Sequence, residues 1–318
     1  MDDYHGGERM IYTITFNPAV DLVMTVGDIV LGDLNRSETD HYVAGGKGIN
    51  ASVIFKRLGQ ENIATGFVGG FSGQFIIDEL EKEGVQTHFV HLEEPTRINV
   101  KIKGSEETEI NARGPIVTCG KFVELTDYLT EHLQSEDVVF LAGNAAPGLD
   151  ATAYTEIARI CQEKSAKFVL DTNKDLLKAC LPYAPFIIKP NNHELSEIFG
   201  VTINTDEEII FYGRKLQTAG ARNVLVSLGG AGSLLLTETG DIYRANVPAG
   251  RVINSVGAGD SMLAGFVSEY LVTGDYRLAL QKGAASGSGT AFSVGIATEG
   301  LIEELSKKIR VEKVEERE

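Results

Sequence analysis

Cysteine is scarce in this chain. Cys119, Cys161 and Cys180 are odd in number and form no C-x-x-C pair, so neither a disulfide framework nor a zinc ribbon is supported. Such usage fits a reducing cytoplasm. Long apolar runs are missing as well. No stretch approaches the ~18 residues that span a bilayer, which argues against a membrane partner. The segment before Met10 is polar and has no apolar core, so it is not a signal peptide. Met10 reads as the natural start and residues 1–9 as an added leader. Positive charge is short too: 29 Lys and Arg against 45 Asp and Glu leave a net −16. A surface this acidic repels a polyphosphate backbone, so nucleic acid is not an expected partner. An anionic substrate must then be met by a few local cations and by backbone N–H groups.

Proline is limited to eight residues, while glycine reaches 35. At the usual ~7% frequency about 22 glycines would be expected. A glycine-rich chain of average apolar content makes many tight turns and close backbone approaches.

The pattern along the chain is α/β. Ile11–Phe16 reads as an opening strand, and residues 21–44 are strand-like without a helical period. Helices are predicted from Gly48 to Leu58, closed by Gly59, and from Ser72 to Gly84. Residues 88–92 and 97–111 alternate apolar and polar, an antiparallel-type, half-exposed pattern. Beyond residue 120, helices at 120–134, 151–164, 175–181 and 206–219 alternate with short apolar strands at 138–142, 168–170, 186–188 and 224–226. That alternation indicates βαβ units and a buried parallel sheet. A hairpin pairs 234–236 with 242–244, and helices near 258–273, 276–291 and 300–309 follow. The expected organisation is a single domain over 10–310, with small-lid strands near 21–44 and 97–111 and a frayed charged tail at 311–318.

Six segments carry chemistry. Asn254-Ser-Val-Gly-Ala-Gly-Asp-Ser261 opens a helix, so the N–H groups of 257–260 are expected to be unpaired, with the helix dipole behind them. That is an anion site, and Asp260 at its lip can accept a proton from a hydroxyl. The plain alternative is an Asp N-cap on an ordinary turn. Gly45-Gly-Lys-Gly-Ile-Asn50 also opens a helix, and Lys47 and Asn50 add polar contacts. It is no Walker A loop, since no G-x-x-x-x-G-K-[ST] occurs. Asn17-Pro-Ala-Val-Asp21 ends the first strand, where open α/β sheets bind ligands; Asp21 can hold sugar hydroxyls. In Lys189-Pro-Asn-Asn-His-Glu194, Asn191 and Glu194 are hard donors suited to Mg²⁺ through water, and equally suited to capping a helix. Ser227-Leu-Gly-Gly-Ala-Gly232 is a glycine-rich turn of the nucleotide-contact kind, weak by itself. Thr96-Arg-Ile-Asn99 and Thr108-Glu-Ile-Asn111 lie on the lid-like strands, and the Arg97 fork suits a phosphate. No H-E-x-x-H and no G-x-S-x-G occurs, so a zinc protease and a serine hydrolase are not supported.

In this order and spacing the segments resemble the ribokinase-like PfkB carbohydrate kinases, over essentially the whole chain beyond the leader. NPAVD, GGKGINAS, TRINVKI and KPNNHEL are most similar to the 1-phosphofructokinase subgroup. The resemblance implies a doubly wound, mostly parallel sheet flanked by helices, with a β lid that forms a homodimer. It implies ATP and Mg²⁺, and phosphorylation of fructose 1-phosphate to fructose 1,6-bisphosphate. Asp260 would be the base, and Gly257, Ala258 and Gly259 the anion hole. Asp21, Gly45, Gly46 and Asn50 would hold the sugar, with Asn111 and Asn144 beside them. Lys47 and Arg97 would meet the phosphate already present. Lys189, Asn191, Ser227, Gly229, Gly230, Gly232 and Gly259 would line the nucleotide site, and Asn191 and Glu194 would serve Mg²⁺.

Asn144 stands where the subgroup has serine, Ala146 where it has proline, and Asn254-Ser255 where Ser-Thr is usual. These departures bear on sugar and nucleotide contacts and leave Asp260 untouched. Tagatose 6-phosphate or fructose 6-phosphate kinases are the near alternatives. A non-catalytic sensor is disfavoured by Asp260 within an intact GAGD. A nicotinamide dehydrogenase is disfavoured because NPAVDL, not G-x-G-x-x-G, follows the first strand.

Overall fold

The computed structural model describes residues 9–315. In chain order the strands are β1 (Ile11–Thr15), β2 (Ala19–Thr25), β3 (Thr39–Gly45), β4 (Asn62–Gly69), β5 (Gln86–Leu92), β6 (Arg97–Lys103), β7 (Glu107–Ile110), β8 (Val138–Ala142), β9 (Lys167–Asp171), β10 (Ile187–Ile188), β11 (Asn223–Ser227), β12 (Ser233–Leu236), β13 (Ile242–Ala245) and β14 (Val311–Lys313). The helices are α1 (Lys47–Arg57), α2 (Gly70–Lys82), α3 (Cys119–His132), α4 (Ala151–Lys164), α5 (Lys174–Cys180), α6 (Asn192–Phe199), α7 (Asp206–Thr218), α8 (Ala258–Thr273), α9 (Tyr276–Ala291) and α10 (Glu299–Ser306).

Ten strands form one sheet in the order β14-β13-β12-β11-β10-β9-β8-β1-β4-β5. From β11 to β5 every pairing is parallel, and the β12, β13 and β14 edge is antiparallel. Both faces are covered, which is why the central strands read as unbroken apolar runs. Along β8 the side chains alternate between two cores. Val139 and Leu141 pack with Tyr154 and Ile157 of α4, while Val138 and Phe140 pack with Phe55 of α1 and Leu263 of α8. The chain runs from β1 outward to β4 and β5, then returns to β8 on the other side of β1. That reversal makes a crevice beyond the carboxyl ends of β1 and β8, the ligand position in doubly wound sheets.

A second sheet, ordered β3-β2-β6-β7, stands beside the crevice. Its inner end is anchored by Val20, Ala44 and Ile98 packing with Ile49 of α1 and Ile76 of α2. No described helix is long and apolar enough to cross a membrane.

Several expectations need correction. β4 was not foreseen, because Asn62, Thr65, Gly66 and Gly69 break its apolar pattern although nearly all of it is buried. β5 belongs to the parallel sheet; as an edge strand it is half exposed and so alternates. β6 runs parallel to β2, a choice that period-two alternation cannot reveal. α2 begins at Gly70, before Ser72, and α6 follows the Asn191 cap where no helix was assigned. The charged tail is not frayed at its start: Val311–Lys313 pairs with β13. Residues 316–318 and most of the expected leader at 1–9 lie outside the described residues.

Candidate active site

Asp260 sits in the first turn of α8, 7% exposed. Gly257 precedes the helix at φ 79°, a left-handed turn that a side chain would strain. The first-turn amides of a helix have no intrahelical partner. The amide of Ala258 is an exception to the expected open set, since it donates to the Ser255 carbonyl at 3.2 Å. Asn50, one turn into α1, donates its side-chain amide to Asp260 Oδ2 at 2.9 Å. The N-termini of two helices distant in sequence are thus joined at the crevice.

Beneath them lies a carboxylate the sequence reading passed over. Asp171 is the last residue of β9 and 2% exposed. Lys47 Nζ donates to its Oδ1 at 3.1 Å, and Lys189 Nζ lies 3.5 Å from its Oδ2. Lys189 is itself buried, and its ammonium would touch a side chain placed at Gly259, 3.0 Å away. Two lysines therefore converge from below on the start of α8. A sequence signal existed: Asp171 closes the apolar run Phe168–Leu170, as Asp21 follows the first strand.

These charges tune one another. Burial pushes the Asp260 carboxyl above the usual aspartate range; Lys47 pulls it down and Asp171 pushes it further up. Burial alone would raise Asp171 as well, but the Lys189 and Lys47 ammonium groups outweigh it and hold that carboxyl low. Burial works against the Lys47 ammonium, and Asp171 and Asp260 overcome this, so its pKa is raised. Asp260 is thus the weakly stabilised carboxylate of the pair, suited to taking a proton, and Asp171 the firmly ionised one.

Asp21 leaves β2 toward a pocket of about 400 Å³ whose walls also include Gly45, Gly46 and Asn50. Asn99 of β6 donates to Asp21 Oδ1 at 2.9 Å, and Lys101 Nζ lies 3.3 Å from Oδ2. Neither Asn99 nor Lys101 was singled out as a sugar or phosphate contact. Arg97 is turned elsewhere. Its Nε, Nη1 and Nη2 donate to the carbonyls of Pro18, Ala112 and Asn17 at 3.3, 3.1 and 2.9 Å. Burial lowers its pKa, with Asp21 opposing. Asn111 is exposed just past β7. Asn144 accepts from Asn173 at 3.2 Å in the loop after β8 and does not line the pocket.

On the other side of α8, Asn191 and Ser227 form a parallel bridge, and the Ser227 amide donates to Pro190 at 3.1 Å. The Lys189–Asn191 segment is thereby held against the Ser227–Gly232 turn. Asn191 and Glu194 form a reciprocal cap on α6, each amide donating to the other's side chain at 2.8 Å. Glu194 keeps one carboxylate oxygen outside that cap. No described cluster of three His, Cys, Asp or Glu could enclose a metal. Mg²⁺ retains most of its water and needs only one or two carboxylates besides phosphates, so a single Glu194 oxygen fits an ion carried in with a nucleotide.

A carboxylate of raised pKa beside a helix N-terminus, flanked by two lysines at the switch point of an α/β sheet, suits phosphoryl transfer to a hydroxyl. The model of the pfkB family carbohydrate kinases matches residues 14–301, and the chain belongs to that family. It is 43% identical over 302 residues to the 1-phosphofructokinase of Bacillus subtilis (strain 168), covering 95% of this chain and 99% of that one. It is 36% identical over 303 residues to the D-tagatose-1-phosphate kinase of Bacillus licheniformis, covering 95% and 99%. A crystal structure of a candidate phosphofructokinase from Staphylococcus aureus superposes with TM-score 0.86 at 41% identity, covering 96% and 99%.

Proposed function

We propose that this protein is an ATP-dependent kinase that phosphorylates the 6-hydroxyl of fructose 1-phosphate, giving fructose 1,6-bisphosphate. The observation that carries the reading is the Asn50–Asp260 hydrogen bond at 2.9 Å, because Asn50 also lines the pocket that holds Asp21. A sugar gripped by Asp21 and Asn50 presents its far hydroxyl to Asp260. Asp260 takes the proton as the hydroxyl attacks the terminal phosphoryl group. The amides of Gly257 and Gly259 and the Lys47 and Lys189 ammonium groups face the developing charge. The turn at Ser227–Gly232, held against Lys189 and Asn191, carries the nucleotide. Mg²⁺, met through water by Glu194, would screen the phosphate charge.

The relative acting on tagatose 1-phosphate changes the rival sugar. Its substrate carries the phosphate at the same end as fructose 1-phosphate, and only the configuration at C4 separates the two. The test is ADP release with fructose 1-phosphate, tagatose 1-phosphate, fructose 6-phosphate and fructose. The highest kcat/KM is expected for fructose 1-phosphate; an equal or higher value for tagatose 1-phosphate would transfer the assignment to that sugar.

The face of the smaller sheet whose inner end packs on α1 and α2 supports a homodimer through the lid where it extends beyond those helices. Tyr42 and Ile110 are exposed there, on the same face as Leu22 and Val100. Sedimentation of the wild type against Ile110→Lys checks this, and a wild-type monomer at working concentration would remove it.

A further inference from the structure

The geometry points to Lys101 as the residue that recognises the phosphate already on the sugar. This rests on the kinase reading above and extends it. The pocket has a direction. At its inner end Asn50 reaches Asp260, and Asp21 stands opposite Asn99 and Val43 in the register of the smaller sheet. Two residues further out, Val23 is flanked by Lys101 and His41; two further still, Thr25 is flanked by Lys103 and Thr39. Each such step moves about 7 Å along a strand. Side chains two apart share a face, so Asp21, Lys101 and Lys103 all line the same wall. A hexose phosphate with its free hydroxyl at Asp260 lays its phosphate along the Lys101 and Lys103 stretch.

Lys103 stands exposed at the outer rim, and the cations nearer the inner end are committed. Arg97 spends its fork on three backbone carbonyls. Lys47 is bonded to Asp171. Arg57, also on the pocket wall, grips Glu83 through Nε and Nη2 and holds the carbonyls of Ile296 and Ala297 through Nη1. Lys101 is held differently. Its side chain is 12% exposed, with Nζ 3.3 Å from Asp21 Oδ2 and 3.6 Å from Glu109 Oε1. Asp21 does not depend on it, since Asn99 already donates to the other carboxylate oxygen. A phosphate entering beside Lys101 draws the ammonium away from Asp21, and the freed Oδ2 turns to a sugar hydroxyl. Recognition of the phosphate and presentation of Asp21 are then a single event, which makes Lys101 a specificity-determining residue for phosphorylated sugars.

The test compares wild type, Lys101→Met and Lys101→Arg on fructose 1-phosphate and on unphosphorylated fructose. A charge-assisted contact predicts that Lys101→Met raises KM for the sugar phosphate about 10- to 100-fold with KM for ATP little changed, while kcat/KM for fructose does not fall and rises where the freed Asp21 Oδ2 meets a sugar hydroxyl. Lys101→Arg recovers part of the loss. An equal fall for both sugars would make Lys101 a mere support for Asp21 and overturn the assignment, as would an unchanged KM. Glu109→Gln gives an independent arm on an exposed edge strand. It removes a competing carboxylate, so KM for the sugar phosphate falls up to about fivefold; a rise counts against the assignment. If the wild type turns over no sugar of the panel, the kinase substrate reading fails by itself. Lys101 is then judged by calorimetric binding of inorganic phosphate: binding lost in Lys101→Met supports it, and binding unaltered overturns it.

Discussion

Asn50 and Asp260 are 210 residues apart in sequence and joined by one hydrogen bond of 2.9 Å. The bond sets the orientation of a carboxylate that its surroundings treat poorly. Burial raises the pKa of Asp260, Asp171 adds to the rise, and Lys47 offsets part of it. The same group therefore weakens the fold and, on the proposed reading, serves as the base.

Two measurements follow for Asp260. Asp260→Asn keeps shape and can still accept from Asn50, yet it cannot take a proton, so kcat is expected to fall about 10²–10⁴-fold with ligand binding nearly intact. Residual activity within a few-fold of wild type would remove Asp260 from the mechanism. Stability should move the opposite way. A carboxyl whose folded pKa is raised contributes fully below its unfolded value near ~3.9, and loses that contribution as pH rises through the folded value. At neutral pH Asp260→Asn should therefore melt higher than wild type, and the gap should close on acidification. Activity of the wild type requires the ionised form and falls on the acid side. Lys47→Met removes the cation that holds the pKa down, so the acid limb of kcat/KM is expected to shift to higher pH.

Much of this was readable from sequence, and the failures have physical causes. Helices 151–164, 258–273 and 276–291 have the bounds that their patterns indicated. Their caps and apolar spacing are local, and local signals survive folding. β4 was invisible because Gly66 serves packing against β1 and Gly69 packing against the end of β5, contacts that no window along the chain contains. Asp171 escaped for a related reason: a lone carboxylate at a strand end acquires meaning only when Lys47 and Lys189 arrive from 124 residues before and 18 residues after. Arg97 illustrates the reverse error. As a rare cation on an acidic chain it looked free for phosphate, and the structure shows three carbonyls occupying its fork.

The glycine-rich turn after β11 divides into two kinds of glycine. A side chain at Gly232, at φ 98°, would place its Cβ 2.1 Å from the Ala245 carbonyl oxygen. Gly229, at φ 54°, faces open space. Gly229→Ala carries only left-handed strain of about 1–2 kcal/mol. Gly232→Ala must also displace β13, so its urea midpoint should drop well beyond that of Gly229→Ala. If Gly229 borders the nucleotide, Gly229→Ala raises KM for ATP in a folded protein. Equal midpoints for the two variants would contradict the close approach at Gly232.

The observed cap on α6 and the proposed Mg²⁺ contact are two roles of Glu194 that one substitution separates. The cap needs an oxygen to accept from the Asn191 amide, and the metal needs negative charge. Glu194→Gln supplies the first without the second. The melting temperature should drop modestly, since a half-buried charge at a helix start is worth about 0.3–2 kcal/mol. The Mg²⁺ concentration for half-maximal activity should rise several-fold. An activation curve that overlays the wild type would leave Glu194 as a cap only.

Arg97 is the remaining case. Its fork closes the loop after β1 onto the segment after β7 through the carbonyls of Asn17, Pro18 and Ala112. The loop after β1 leads to Asp21, so its geometry sets the proposed sugar contact. Arg97→Ala strands three partly buried carbonyls, and hydrogen bonds from a charged donor contribute about 1.5–3 kcal/mol each at most. The melting temperature should drop, and KM should rise for the sugar whether or not it is phosphorylated, because Asp21 is displaced for both. A lysine has no planar fork and cannot reach three divergent carbonyls, so Arg97→Lys should rescue little despite keeping the charge. A phosphate contact would behave otherwise: Arg97→Ala would spare stability and penalise only the phosphorylated sugar, and Arg97→Lys would restore much of the affinity. Thermal melting of both variants, measured beside KM for fructose 1-phosphate and for fructose, separates the two outcomes.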